Sequence, residues 1–150
     1  MKLRVLVGAG SKVMGLTLPF IVVGIVLNIL RPAWFNLGFG TRGVIAGVIL
    51  LVAGVPVWIS SVVLILVWVP QKKLITTGPF AVVLHPLYTS VALLVIPGLG
   101  LLFDSWVGAG IGVILYISSR IFSPGEEKIL QQYFPKEYPA YRKKVLLPWL

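Results

Sequence analysis

Hydrophobic positions along the chain fall into long runs separated by short polar stretches, and the runs have the length of membrane spans. The first extends from Met14 to Leu30 and stops at Arg31-Pro32, with Trp34 and Phe35 where interfacial aromatics belong. Lys2, Arg4 and Lys12 precede it, but no small-residue cleavage site follows, so it reads as a span and not a leader. The second run, Gly43 to Val69, can cross a bilayer with tilt; Pro56 predicts a kink within it and Pro70 ends it. A polar intermission covers Gln71 to Pro86. From Leu87 to Phe122 two shorter apolar segments meet near Phe103, Asp104 and Ser105, which predicts a helical hairpin. After Ser123-Pro124-Gly125 the character changes. There EEKILQQYF and EYPAYRKKV set charges beside Ile129, Leu130, Tyr133, Tyr138, Tyr141 and Val145 at spacings near three and four, predicting an amphipathic membrane-surface helix broken near Pro135. The expected architecture is an all-α integral membrane protein, a single membrane domain over residues 1–150. It has about four transmembrane helices (14–30, 43–69, 88–103, 105–122) and a tail over 123–150.

Composition supports this. Hydrophobic residues make up 58% and charged residues 11%, against roughly 25% charged in a soluble domain. Absent cysteines exclude disulfides, thiolate metal sites and cysteine nucleophiles, and one histidine with four carboxylates argues against a metal centre. With a cytoplasmic N-terminus and four crossings, eleven of the thirteen basic residues collect on the cytoplasmic side, and only Arg31 and Arg42 lie outside. Both termini, the histidine segment and the glutamates are then cytoplasmic. The net charge of +9 belongs to the membrane surface, because the basic residues flank spans and alternate with aromatics; nucleic acid is not an expected partner.

Few residues are left to carry chemistry. His85 stands in LITTGPFAVVLHPLY, between hydrophobic runs, and taken alone reads as an interfacial histidine satisfied by a carbonyl. Glu126 and Glu127 follow a Pro-Gly pair and suit a helix start, where acidic residues contribute about 0.3–1 kcal/mol; one of them can also face inward toward a bound ammonium. Arg120 ends a span, either snorkelling to the interface or anchoring an anionic ligand. Tyr138 and Tyr141 read as packing and interface anchors. Gly98-Leu99-Gly100, after Pro97, reads as a close-packing pair.

Taken together, Thr77-Gly78-Pro79-Phe80, then His85-Pro86-Leu87-Tyr88, then Glu126-Glu127 with Leu130, Phe134, Tyr138, Tyr141 and Val145 resemble the C-terminal half of the isoprenylcysteine carboxyl methyltransferase family and related phospholipid methyltransferases, over roughly residues 70 to 148. The family usually has arginine where Leu84 stands and often glycine where Ser90 stands. The resemblance implies a small helical membrane enzyme that binds S-adenosyl-L-methionine at the cytoplasmic surface and takes a lipid-like or prenylated acceptor from the bilayer. It implies cofactor contacts from Thr77, Gly78, Pro79, Phe80, His85, Pro86, Tyr88, Glu126 and Glu127, with Glu126 or Glu127 on the methionyl ammonium, and catalytic roles for His85 and Arg120. The alternatives are a phospholipid amine N-methyltransferase, an NADPH-dependent membrane reductase and a non-catalytic membrane adaptor. Of these, the reductase calls for more basic and polar residues than Lys72 and Lys73 supply, and the adaptor leaves the histidine and glutamate segments unexplained.

Overall fold

A computed structural model describes residues 3–150, with side chains from residue 10 onward. Lys2 and the side chain of Arg4, two of the charges behind the sidedness expectation, lie outside the described residues. The apolar runs form helices: α1 (Leu3–Leu30), the short α2 (Pro32–Phe35), α3 (Gly40–Trp68), α4 (Pro79–Val82), α5 (Pro86–Ser90), α6 (Ile96–Leu102), α7 (Val107–Tyr133) and α8 (Glu137–Lys144). No strand is found among the described residues, where the β pairing amounts to two isolated bridges. The protein is an all-α membrane protein. Three stretches, Gly10–Leu30, Gly40–Trp68 and Val107–Tyr133, are long and apolar enough to cross a bilayer, and the shorter Pro86–Leu102 is the other apolar helix.

A π-helical turn, Val91–Val95, joins α5 to α6, with the Ile96 amide reaching back to the Val91 carbonyl. Pro97 has no amide to continue the ordinary ladder, and the wider turn before it absorbs that loss. The expected boundary at Ser123-Pro124-Gly125 is corrected, because α7 runs unbroken through Pro124 to Tyr133. The Glu-rich segment is therefore the extension of the last span. Ser119, Ser123, Glu126 and Leu130 form one inward row along that extension, at helical spacings of three and four, and their packing outweighs the helix-breaking tendency of one Pro-Gly pair. The break near Pro135 does occur, between α7 and α8.

In the bundle α1 lies along α7, and α3 along the α5–α6 arm. Small residues set the close approaches: a Cβ on Gly47 would meet the Gly98 carbonyl at 2.7 Å, and one on Gly100 the Gly108 Cα at 2.8 Å. Gly98 and Gly100 thus pack helices together. Outward faces carry Ile29, Ile49, Val52 and Ile121, all exposed, as a lipid-facing surface requires. At one end the α1–α3 connection is pinned to the α6–α7 turn. The Leu37 amide donates to the Asp104 carbonyl, the Phe39 amide to Asp104 Oδ1, and Ser105 to Asn28 Oδ1 at 2.8 Å. The opposite end, where α3 finishes and α5 begins, carries the polar segments.

Candidate active site

The chain turns into the site through Gly78 at φ +62, a conformation glycine adopts without strain, and Pro79 opens α4. His85 precedes proline, which keeps it out of the helical region, at φ −125 and ψ 62, as the residue capping α5. Pro86 is buried, and Tyr88 follows within the same short helix. Glu126 comes from the inward row of α7. Its carboxylate accepts a hydrogen bond from the Tyr88 hydroxyl at 3.0 Å, and His85 Nδ1 stands 3.6 Å from its second oxygen. His85 Nε2 faces Glu127 Oε1 at 3.4 Å, so the imidazole sits between two carboxylates. Arg142 of α8 pairs with the other Glu127 oxygen at 3.3 Å, and Tyr138 lies beside the same carboxylate.

The two glutamates are therefore unequal. Glu127 has an arginine, a tyrosine and the histidine around it. Glu126, at 6% exposure, has the Tyr88 hydroxyl and the nearby imidazole, and its charge is poorly hydrated. A buried carboxylate in this position gains from any cation brought beside it.

Glu126 forms part of the wall of a cavity of about 340 Å³. Most of the lining is apolar, including Ile65 of α3 and Val69 just after it, Leu84, Leu87 and Leu130, and the polar groups His85, Tyr88 and Glu126 converge on it. α8 closes one side. Leu84, Tyr138, Tyr141 and Val145 form a buried cluster with Phe80 packed against it, and the Tyr141 hydroxyl donates to the Phe80 carbonyl at 2.7 Å. The chain beyond α8 is stitched down by the Leu146 amide on Ala81 and the Leu147 amide on Val82. Burial pushes the Tyr141 phenol up to about 12, and burial followed by the charge of Glu127 pushes Tyr138 up as well, so both hydroxyls remain donors.

Of the residues singled out in the sequence, the structure gathers Phe80, His85, Pro86, Tyr88 and Glu126 on the cavity, with Glu127 directly behind His85. Thr77, Gly78 and Pro79 shape the preceding turn and do not line it. Arg120 is exposed on α7, away from the lining. Sequence reasoning missed Gly10 and Ser11 of α1, Lys73 as a lining residue, and Arg142 as the partner of Glu127. Tyr138 and Tyr141 proved to be buried packing residues, and nothing in their spacing revealed that they also wall the cavity. Leu84, in the place where the family usually has arginine, is 6% exposed against those tyrosines.

Residues 40–132 match the model of the isoprenylcysteine carboxyl methyltransferase (ICMT) family, a stretch that begins with α3 and includes His85, Tyr88 and both glutamates. The chain belongs to this family. No curated protein and no solved structure matches it. The ICMT match starts some 30 residues before the segment whose motifs resemble the family and ends before α8, so α3, which lends Ile65 to the cavity wall, lies within the matched stretch. Family membership makes the protein a membrane methyltransferase of the isoprenylcysteine type.

Proposed function

We propose that the protein transfers a methyl group from S-adenosyl-L-methionine to a lipid-like or prenylated acceptor, with the cavity facing the cytoplasmic side of the membrane. The observation that carries this reading is the His85–Tyr88–Glu126 constellation set into one wall of an otherwise apolar cavity at the end of the bundle. The donor set fits the cofactor. A buried, under-compensated carboxylate suits a cationic ligand, and apolar walls suit its methyl-bearing and aromatic parts. When bound, the cofactor supplies a methyl group on a positively charged sulfur that leaves as a neutral thioether without needing a proton.

The residues' task is then to hold and to exclude water. Glu126 binds the ammonium of the methionyl part, and Tyr88 fixes the carboxylate in place. His85, held by Glu127, closes the polar wall, and Arg142 with Tyr138 keeps Glu127 from swinging into the cavity. The apolar walls from Ile65, Val69 and Leu130 strip water from the reacting groups, and alignment within about 3–3.5 Å supplies most of the rate enhancement. A carboxylate acceptor needs no base. An amine acceptor must lose a proton, and His85 is the group placed to take it. The walls drawn from α3 and α7, both spanning helices, support entry of the acceptor from the bilayer.

Calorimetry on detergent-purified protein tests the reading. S-adenosylhomocysteine is expected to bind with micromolar or tighter affinity and NADPH not at all. Binding of NADPH without S-adenosylhomocysteine would replace the methyltransferase with a reductase.

A further inference from the structure

Beyond the cavity wall lies a second hollow, of about 640 Å³, between the end of α3, the turn after it and α8. Its rim carries Lys72, Lys73 and Lys144 against the single carboxylate of Glu137, and its floor is apolar, with Leu74, Phe134 and Val145. Trp68, the last residue of a spanning helix, stands in the same lining, which sets the hollow at the height of the membrane surface. Lys73 Nζ lies 5.7 Å from the centroid of the Trp68 ring, so one ammonium is held over the indole face. Lys72 adopts φ +57 at the end of α3, with its amide on the Val69 carbonyl and the Lys73 amide on that of Trp68. Glycine is the ordinary residue for such a left-handed helix terminus, and here the place is filled by a side chain that adds charge to the rim.

We propose that this groove binds the head group of an anionic phospholipid from the surrounding leaflet, its phosphate held by Lys72, Lys73 and Lys144 and the start of its acyl chains on the Leu74–Phe134–Val145 floor. The charge is of the right sign, the rim and the floor match the two halves of an amphiphile, and the depth matches the interface. A free phosphate or a soluble phosphorylated metabolite would leave the apolar floor uncovered, and that favours the lipid. Lys73, Leu74 and Tyr141 line both hollows, so the bound head group lies one side chain away from the candidate active site. The proposal does not depend on the methyltransferase reading, since the lipid is retained without cofactor.

Native mass spectrometry of the full chain in detergent, equilibrated with phosphatidylglycerol or phosphatidylcholine of the same acyl chains, tests it. Wild type is expected to retain phosphatidylglycerol at least fivefold over phosphatidylcholine. The variant Lys72→Gln/Lys73→Gln/Lys144→Gln should lose that preference, and Lys72→Arg/Lys73→Arg/Lys144→Arg should keep it. Lys128→Gln/Lys136→Gln/Lys143→Gln removes the same charge from exposed residues outside the groove and should also keep it. The proposal is overturned if the groove variant, monodisperse by gel filtration, retains the lipid like wild type, or if the control variant loses it equally, since retention would then follow overall charge. It is also overturned if millimolar inorganic phosphate displaces the lipid, which would make the groove a soluble-phosphate site.

Discussion

Replacing Glu126 by glutamine separates what the acidic pair does for the ligand from what it does for the fold. The substitution keeps the shape and leaves an amide oxygen that can still accept the Tyr88 hydroxyl, which stands at 3.0 Å in the wild type. It removes only the charge. Truncating the buried partner of a charged group costs about 2–5 kcal/mol, which at 1.4 kcal/mol per tenfold is about 30-fold to a few thousand-fold in affinity. The lower end applies here, because Glu127 remains just behind His85 and supplies part of the field. Glu127→Gln should cost less than tenfold, since the charge of Glu127 is already matched by Arg142 and its loss reaches the ligand only through the position of the imidazole.

The assay is calorimetric titration of S-adenosylhomocysteine into each variant, beside a thermal melt. The melt carries an opposite expectation. A carboxylate at 6% exposure is held in place at the expense of its hydration, so Glu126→Gln should leave the melting temperature unchanged or raise it while binding falls. Two results refute the reasoning. Equal, wild-type affinity in both variants would reduce the pair to a feature of α7 with no ligand. A larger loss for Glu127→Gln than for Glu126→Gln would mean that the cation sits on the Arg142 side of the histidine.

Arg120→Gln should leave S-adenosylhomocysteine affinity within twofold, because Arg120 is exposed and outside the cavity; a tenfold loss would return it to the site. Gly108→Val should destabilise the bundle by about 1–3 kcal/mol or more in a detergent-unfolding titration, since a Cβ there would lie 2.5 Å from the Gly100 Cα. Gly125→Ala, with open space around its Cβ, should not destabilise it, and equal effects would deny the close approach of α6 and α7. Single cysteines replacing Lys73 and Lys128 should be labelled from the cytoplasm and one replacing Asn36 from the opposite side. Labelling of the first two from different sides would break the composite site.

The apolar helices were legible in the sequence because they are a matter of composition and length, visible without knowing any neighbour; three of the four expected spans are long enough to cross, and the segment expected at 88–103 lies in the shorter apolar helix Pro86–Leu102. His85 and the glutamates were likewise legible, as rare polar groups in an apolar chain. What was not legible depended on contacts between distant segments: Gly10 and Ser11 reach the cavity from α1, and Arg142 reaches Glu127 from a helix the sequence placed on the membrane surface. Arg120 shows how one local misreading propagates. With a break at Ser123-Pro124-Gly125, the angle between Arg120 and Glu126 is free, and the arginine can be imagined beside the same ligand. With α7 continuous, six residues at about 100° each leave the two side chains some 120° apart around the axis, and burial of Glu126 turns Arg120 outward. The same phase distinguishes the two glutamates. Glu126 continues the row of Ser119 and Ser123 into the cavity, and Glu127, about 100° further round the helix, meets the histidine and Arg142. The division of labour between adjacent carboxylates is thus a consequence of one uninterrupted helix, and a kink engineered at Pro124 would be expected to erase it.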